Sequence, residues 1–317
     1  MGIPVNSEQA TTIITTTLQH RLKKVVNGVF NSNPVLLRMY ADERVTIDGG
    51  KNIETPIEHG MVVGGAVPKG GDFSGDVSEI ITMFTHNWKT NYAGLNFYDL
   101  DLAMNQGAAA VIKITDAVMS NAKRTLQHNL GTQLHGSGGG DNFDGFFNAV
   151  STTATYGGIA RGDGSTVATA VTPTVNTTGG PFSLAMVNEA MGNATFDNIQ
   201  PNLIVSNQTI FSKAWERSQP SERNSPGNTM RKIGWKGNVL NFNGAEWVVD
   251  SHTPSGTIEV WNTDFWKFMI LRGNDFKIRG KGIQQLTLKD TSAGQLIVRG
   301  NFICSGPRYQ SYISNVT

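Results

Sequence analysis

The sequence lacks the features of secreted, disulfide-bonded and membrane-spanning proteins. Its 317 residues include one cysteine, Cys304, so no disulfide can form within the chain and a zinc site is disfavoured. Cys304 lies in an apolar run and is predicted to be a small buried side chain. No signal peptide is recognisable, and no apolar run reaches the roughly 18 residues of a membrane span. These absences predict a soluble protein that is made in the cytosol.

Charge is also scarce. Charged residues make up 16% of the chain, and 26 basic residues nearly balance 25 acidic ones, which gives a formal net charge of +1. A protein whose whole surface grips nucleic acid needs a basic excess, so the composition argues against that class. The low charge content instead indicates that other subunits cover much of the surface, since free surfaces usually carry more charge.

The common catalytic motifs are missing as well. The six histidines have no metal-ligand spacing, and no phosphate loop or Gly-x-Ser-x-Gly nucleophile elbow occurs. We therefore predict no enzyme activity, no catalytic, cofactor-binding or metal-binding residues, and no cofactor. The scattered carboxylates leave one enzymatic alternative open, a carboxylate-based surface hydrolase.

The longest helical pattern runs over residues 107–131, and we call it the spine helix. Its apolar residues recur every three or four positions, which places them on one helix face. They are Val111, Val118, Ala122, Leu126 and Leu130. About 24 residues correspond to a rod roughly 36 Å long. Gly131 follows the last apolar residue and is predicted to end the helix.

A second helix is predicted at residues 7–27, with Ser7 as its N-cap and Gly28 as its stop. Its many threonines lower the helix propensity, so the helix is expected to form against a partner surface. Two interpretations stay open: a surface helix docked on its own domain, or an arm that reaches a neighbouring subunit.

Residues 52–91 have the pattern of a long β-hairpin. Segments 52–59 and 79–91 alternate with a period of two, and the intervening tip, 60–77, contains six glycines. The tip is expected to be too poor in apolar residues to form a core of its own, so something outside the hairpin must hold it. We predict that the tip becomes ordered only against another surface.

The rest of the chain mixes strands and helices. A glycine-rich run at 135–140 is predicted to be a hinge and a domain boundary. Helices at 183–191 and 207–216 flank a buried strand at 203–205, which is typical of an α/β lobe. The loop at 219–228 is predicted to be mobile. Asn243-Gly244 predicts a hairpin turn between strands 239–242 and 246–249.

Further strands are predicted at 257–261, 267–271, 284–288 and 295–304. Aromatic residues are concentrated around the second of these strands. Trp261, Phe265, Trp266 and Phe268 are predicted to form core, although a stacking platform for bases stays an alternative.

Several runs occur in an order that is similar to the tailed-phage major capsid protein family. The first are Phe143-Asp144-Gly145-Phe146 and Tyr156-Gly157-Gly158-Ile159-Ala160-Arg161. Later come 201–206, a proline and apolar strand entering a helix, and 240–250, a strand, Asn-Gly turn, strand and Asp250. Pro254-Ser255-Gly256, Val260-Trp261-Asn262-Thr263 and Pro307-Arg308 follow. The resemblance spans residues 35–315, and the order of the runs carries it.

The resemblance implies an α+β fold of defined parts. Residues 1–35 resemble the N-terminal arm and 36–95 the E-loop hairpin region. Residues 96–140 resemble the P-domain with the spine helix, 141–249 the A-domain, and 250–317 the segment that returns to the P-domain. In some relatives a lysine of the E-loop bonds covalently to a neighbour's asparagine. Lys69 lies at this tip, but no matching asparagine and glutamate partners are found, so cross-linking is not predicted.

The implied function is that of a major capsid protein. Copies would assemble as hexamers and pentamers into an icosahedral shell that encloses double-stranded DNA without sequence-specific binding or a membrane. The implied partners are the chain itself, a separate scaffolding protein, a portal protein and decoration proteins. The implied location is the virion capsid, assembled in the host cytoplasm. An encapsulin-type nanocompartment, which encloses enzymes instead of DNA, shares the fold and stays the nearest alternative.

Overall fold

The protein is represented by a computed structural model that describes residues 33–73, 79–104, 114–162, 164–218, 240–280, 283–286 and 289–317. The predicted helix at 7–27, the predicted loop at 219–228 and the predicted start of the spine helix lie outside these residues. The chain divides into two compact units. In the described residues, the first unit is drawn from Thr90–Asn129 and Gly273–Arg299. The second is drawn from Ser32–Lys89, Leu130–Arg272 and Gly300–Thr317.

The described α-helices are α1 Pro34–Asp42, α2 Asp99–Met104, α3 Ile114–Leu134, α4 Phe146–Ala149, α5 Thr166–Val171, α6 Leu184–Ala194 and α7 Gln208–Ser218. Short 3-10 helices occupy Thr263–Phe265 and Pro307–Tyr309.

The first described strands are β1 Arg44–Ile47, β2 Ile53–Glu58, β3 Ile81–His86, β4 Lys89–Tyr98, β5 Leu203–Ser206, β6 Leu240–Phe242 and β7 Ala245–Val249. The later ones are β8 Ile258–Trp261, β9 Trp266–Leu271, β10 Lys277–Ile278, β11 Gln284–Gln285, β12 Thr291–Cys304 and β13 Ser311–Ile313. The mixture of helices and strands confirms the predicted α+β class.

Polar caps set the starts of several helices. The Ser183 hydroxyl accepts a hydrogen bond from the amide of Met186, and the Asn207 side chain accepts one from the amide of Ile210. These bonds satisfy amides that have no partner inside the helix. The predicted helices at 183–191 and 207–216 are confirmed. Each continues a few residues further, to Ala194 and Ser218.

A five-stranded sheet of order β13-β8-β5-β7-β6 forms part of the second unit. Its central strand β5 runs parallel to β7 and antiparallel to β8. The predicted Asn243-Gly244 turn joins β6 to β7, and both residues have positive φ, 48° and 85°, as a tight hairpin turn requires. Helices α6 and α7 contribute buried side chains to the same core as this sheet. Strands before and after residue 249 belong to this sheet. The boundary that the resemblance implies at residue 249, between the A-domain and the returning segment, stays a prediction.

A second layer of the same unit pairs β1 with β9 and β9 with the end of β12. Its aromatic side chains pack closely on one another and on Trp261 of β8: the ring centroids of Phe268 and Phe302 are 4.6 Å apart, and those of Trp261 and Trp266 are 4.8 Å apart. All four side chains are fully buried. The prediction that the aromatic cluster is core is therefore confirmed, and Phe265 at its edge is half-buried.

In the first unit, β10, β11 and β4 pair with β12. Strand β4 alternates strictly between buried and exposed side chains. The single strand predicted at 79–91 is wrong, because β3 ends at His86 and β4 begins at Lys89. The period-two pattern of β4 continues to Phe97, whose side chain is buried, and helix α2 begins at Asp99.

The spine helix extends to Leu134, so the prediction that Gly131 ends it is wrong. Gly131 lies inside the helix, where a Cβ atom would come within 1.8 Å of the Asn33 side-chain amide nitrogen. The glycine therefore permits a close approach rather than a left-handed turn. The predicted apolar face is confirmed at Ala122, Leu126 and Leu130, which are buried. Val118 is half-buried, and Val111 lies outside the described residues.

Candidate assembly surface

The long hairpin is present as predicted, with β2 and β3 in antiparallel register from Ile53–His86 to Glu58–Ile81. One more hydrogen bond, from the His59 amide to the Ile80 carbonyl (2.8 Å), extends the ladder toward the tip. The side chains alternate between the two faces of the ribbon. The inner face is buried, and it carries Ile53, Ile57, Phe84 and His86.

Aromatic packing holds the base of the hairpin. Phe84 is fully buried and meets Tyr156 edge-on, with ring centroids 5.3 Å apart. The amide of Thr85 donates a hydrogen bond to the carbonyl of Gly157 (2.9 Å). A Cβ atom on Gly157 would lie 2.5 Å from the Phe84 ring, and its φ of 56° also favours glycine. The Tyr156-Gly157 turn therefore packs directly against the Phe84 ring.

A buried carboxylate completes the attachment. Asp144 accepts hydrogen bonds from His86 Nδ1 (3.0 Å), Lys89 Nζ (2.8 Å) and Asn301 Nδ2 (2.7 Å). Burial by itself raises the pKa of Asp144, but the hydrogen bonds from His86 and Lys89 outweigh it and lower the pKa to about 2. The ionised carboxylate thus joins the end of β3, the segment after the spine helix and β12. We call Phe84, His86, Asp144, Tyr156 and Gly157 the hairpin anchor.

The chemistry of the anchor is structural rather than catalytic. An acid with a pKa of about 2 is far from the range in which a general acid or base works efficiently at neutral pH. Burial also raises the pKa of the neighbouring Cys304 thiol to about 12, so the reactive thiolate is suppressed. The hydroxyl of Tyr156 accepts a hydrogen bond from the Cys304 amide (2.7 Å). These groups therefore position the chain.

A second buried charge cluster lies just after the spine helix. His135 contacts Glu259 through Nδ1 (2.8 Å) and Asp250 through Nε2 (3.4 Å). Burial opposes the charged imidazolium, but the two carboxylates outweigh burial and raise the pKa of His135 to about 10. The Trp261 indole also donates to Glu259 (2.9 Å). A charged histidine therefore fixes the end of the spine helix to the loop after β7 and to strand β8.

The glycine run at 135–140, which the sequence predicts to be a hinge, begins at this cluster. His135 is buried, and the carbonyl of Gly136 accepts a hydrogen bond from the amide of Phe147 (3.1 Å). A Cβ atom on Gly145 would come within 2.3 Å of the same carbonyl oxygen. The start of the run is packed and hydrogen-bonded, so the hinge prediction is wrong there.

The tip of the hairpin has the opposite character from its base. Met61, Val62 and Phe73 are 92%, 72% and 86% exposed. The expectation that the tip is poor in apolar residues is wrong. The tip nevertheless lacks a core of its own, because these side chains are exposed instead of packed together. Since soluble proteins rarely leave neighbouring large apolar side chains in water, the tip is a candidate contact surface.

The outer face of the ribbon continues this apolar surface. Ile81 and Met83 are about half exposed, and Met83 lies directly opposite Pro56 on β2. The outer face of the hairpin therefore exposes apolar side chains beside the carboxylates of Glu54 and Glu58, while its other face is buried in the second unit.

In the described part of the chain, no group of three or more histidine, cysteine or acidic side chains is arranged to hold a metal ion. The helices that the structure describes include none that is both long and apolar enough to cross a membrane.

Sequence reasoning missed the buried charges. A signal for His86 was available, because it shares the period-two face of β3 with Phe84. Glu259 likewise shares a strand face with Trp261 inside a predicted apolar strand. The partners Asp144 and Asp250 are far away in sequence, and no local pattern indicates that they are buried with these residues.

No family model matches the sequence, and neither does any curated protein. Solved structures do match it over almost its whole length. The capsid asymmetric unit of cyanophage A-1(L) superposes with a TM-score of 0.68 at 14% identity, covering 96% of this chain and 99% of that chain. The capsid of a native GTA particle gives 0.65 at 12% identity, with full coverage of both chains. The chain has the phage capsid fold.

The same fold occurs in a protein compartment. The holo-SrpI encapsulin complex of Synechococcus elongatus matches with a TM-score of 0.63 at 7% identity, covering 100% of this chain and 96% of that chain. The phage capsid fold is therefore shared by shells of more than one kind. Identities of 7–14% establish the fold, and the function has to be argued from the chain itself.

Proposed function

We propose that copies of this chain assemble into a closed icosahedral shell that encloses packaged double-stranded DNA. The hairpin carries the proposal: its base is fixed by a buried carboxylate and aromatic packing, while its tip and outer face expose apolar side chains. A rigidly mounted apolar extension is suited to contact a second copy. The phage capsid fold, present over the whole chain, supports this reading.

The energetics favour many weak contacts. Burying a side chain the size of Met61 or Phe73 contributes about 1.5–3 kcal/mol, which is too little for a stable dimer once the entropy of association is counted. A closed shell repeats such contacts around every copy, so their effects add through multivalency. The low charge content of the chain, 16% of all residues, is consistent with a chain that is largely covered by its neighbours.

The finer parts of the proposal follow the same family. Hexamers and pentamers form the shell, with residues 1–35 as arm, 36–95 as E-loop region, 96–140 and 250–317 as P-domain, and 141–249 as A-domain. A separate scaffolding protein, a portal and decoration proteins are the proposed partners. Assembly takes place in the host cytoplasm, and the finished location is the virion.

The encapsulin match supports a second candidate, a nanocompartment shell loaded with enzymes. The two candidates differ in cargo. Native particles of a virus contain double-stranded DNA, whereas those of a compartment contain protein.

The test is assembly of the purified chain. Negative-stain microscopy should show closed particles for the wild type, and nuclease-protected DNA should be recovered from particles purified from their natural source. A variant in which residues 60–79 are replaced by Asn-Gly keeps the ladder to the His59–Ile80 hydrogen bond and closes it with a two-residue turn. We expect this variant to melt at nearly the wild-type temperature and to form few or no particles.

The outcomes separate the candidates. Normal particles from the shortened variant would remove the hairpin from the assembly mechanism. Particles with protein cargo and no DNA would favour the compartment. A wild-type chain that stays monomeric under all assembly conditions would contradict both shells and return the surface hydrolase to consideration.

A further inference from the structure

A groove of about 660 Å³ lies within the first unit, where residues of β4, β11 and β12 and the segment following β10 line it. A smaller hollow of about 140 Å³ shares Tyr92, Arg279 and Gln295 with it and adds Arg299. The two hollows form one continuous lining, which we call the Arg279 groove. Neither the fold nor the hairpin contact assigns it a role.

The described residues that line the groove carry charge of one sign. Arg279 and Arg299 are among them, and none of these described residues is an aspartate or glutamate. The Arg279 guanidinium donates to the side-chain oxygen of Gln295 (3.0 Å), and that of Arg299 approaches the side-chain oxygen of Asn274 (3.5 Å). Both oxygens belong to neutral amides, so these contacts orient the guanidinium groups without neutralising them.

The spacing of the two cations selects the kind of ligand. The pairing of Lys277 with Ile297 places Arg279 opposite Gln295. Arg299 is four residues further along β12, which is roughly 13 Å at the rise of a β-strand. The two cationic side chains therefore start from separate points along the lining, which suits a ligand with more than one negative charge. The arrangement calls for a ligand whose negative charges repeat along its length.

The remaining lining is polar and suited to phosphate oxygens. Tyr92 is 61% exposed, and the amides of Asn96 and Gln284 lie along the same groove. Such side chains are frequent donors to the phosphates of nucleic acids. An acidic peptide would also need apolar pockets for its other side chains, and among the described lining residues Leu286 is the one large aliphatic side chain that is exposed.

We infer that the Arg279 groove binds the phosphodiester backbone of DNA, so that this face of the first unit is the one turned toward the packaged genome. The inference rests on the proposed function. Two phosphate contacts per chain give weak, salt-sensitive binding, as the near-zero net charge of the chain requires. Repetition over a shell would hold the DNA without regard to its sequence.

The experiment measures binding of the full-length chain to a short labelled DNA duplex by fluorescence anisotropy over a series of salt concentrations. The groove variant combines Arg279→Gln and Arg299→Gln. We expect the slope of log K against log salt to become less steep by about 1.8, since each lost phosphate contact accounts for about 0.9. The matched control, Lys213→Gln with Arg217→Gln, removes the same charge from α7 and should leave the slope nearly unchanged.

A second variant guards against a trivial loss of structure. Arg279→Lys with Arg299→Lys keeps both charges and should keep most of the salt dependence. An unchanged slope in the glutamine variant would overturn the inference. So would an equal loss in the α7 control, or polyglutamate competing as well as DNA at equal charge, which would make the groove a site for acidic peptides.

The same variants are examined for particles by negative stain. If wild-type chains bind DNA through the groove but form no shells, the proposed function fails while the phosphate site stands. If shells form and the groove variant binds DNA as the wild type does, the site fails while the shell function stands.

Discussion

The base and the tip of the β2–β3 hairpin belong to one ribbon, but they are stabilised in different ways. At the base, Phe84 is fully buried against Tyr156, and Asp144 binds three donors from separate segments. At the tip, Met61 and Phe73 are almost wholly exposed to solvent. The contrast shows that one ribbon can be fixed by packing at one end while it leaves large apolar side chains exposed at the other.

The division has a physical cause. An extended ribbon that projected from the fold without a fixed base would lose much of any contact energy to the entropy of ordering it. Because the hairpin anchor forms when the chain folds, the base of the ribbon is already ordered before any association. Contacts made later by the tip then need to order only the tip. If this view is right, changes at the base should alter stability and changes at the tip should alter assembly.

The largest effect is expected at the base. Phe84→Ala removes a fully buried ring and should lower the free energy of unfolding by about 3–5 kcal/mol. Its neighbour Met83 points to the outer face and is half exposed, so Met83→Ala should cost no more than about 0.5 kcal/mol. Urea denaturation of unassembled protein measures both values. Equal losses would mean that the two faces of the ribbon are wrongly assigned.

A smaller effect is expected from the anchor carboxylate, and it depends on pH. The folded-state pKa of Asp144, about 2, lies below its ordinary value of 3.8, so the ionised group stabilises the fold above 3.8. This contribution disappears as the pH falls through the folded-state value. A shift of this size corresponds to about 2 kcal/mol.

The measurement compares wild type with Asp144→Asn by urea denaturation from neutral pH down to about 3. We expect the wild-type advantage to be largest at neutral pH and to shrink below 3.8. Asp141→Asn, which alters an exposed carboxylate in the same loop, should change stability little at any pH. An advantage for wild type that stays constant across this range would show that the Asp144 charge does not hold the hairpin.

The smallest effect on stability is expected at the tip. Met61→Ser combined with Phe73→Ser removes two exposed apolar side chains and should change the free energy of unfolding by no more than about 0.5 kcal/mol. The same variant should form fewer particles in negative stain. Leu100→Ser, at a 59% exposed apolar residue of the first unit, is the matched control. A tip variant that is strongly destabilised would erase the distinction between base and tip.

The sequence predicted the β2–β3 hairpin itself better than the contacts that attach it to the rest of the fold. Alternation over 52–59 and 79–91 predicted the ribbon, since the period of two directly reports which side chains share a face, although the second strand ends at His86. It did not reveal where the ribbon is attached. His86 and Asp144 are 58 positions apart, and neither local pattern carries information about the other.

Glycine shows the same limit. Gly131 matched a helix stop by its place after an apolar stripe, yet the helix continues to Leu134. The glycine is required instead because the Asn33 side chain occupies the space that a Cβ atom would need. Asn243-Gly244 was predicted correctly, because its role is a local turn with two positive φ angles. The role of a glycine can be predicted from neighbouring residues when a local turn requires it. It cannot be predicted in this way when packing against a distant segment requires it.

The sequence by itself determined the buried face of the spine helix at Ala122, Leu126 and Leu130, the β2–β3 hairpin, the Asn243-Gly244 turn, and the burial of Cys304 and of the aromatic cluster. Each of these depends on periodicity or turn chemistry within a few residues. Tertiary structure alone decided that His135 is a buried cation between Glu259 and Asp250, and that Asp144 holds the hairpin. Their pKa values and partners arise from groups that meet only when distant segments fold together, where burial strengthens every charge–charge contact.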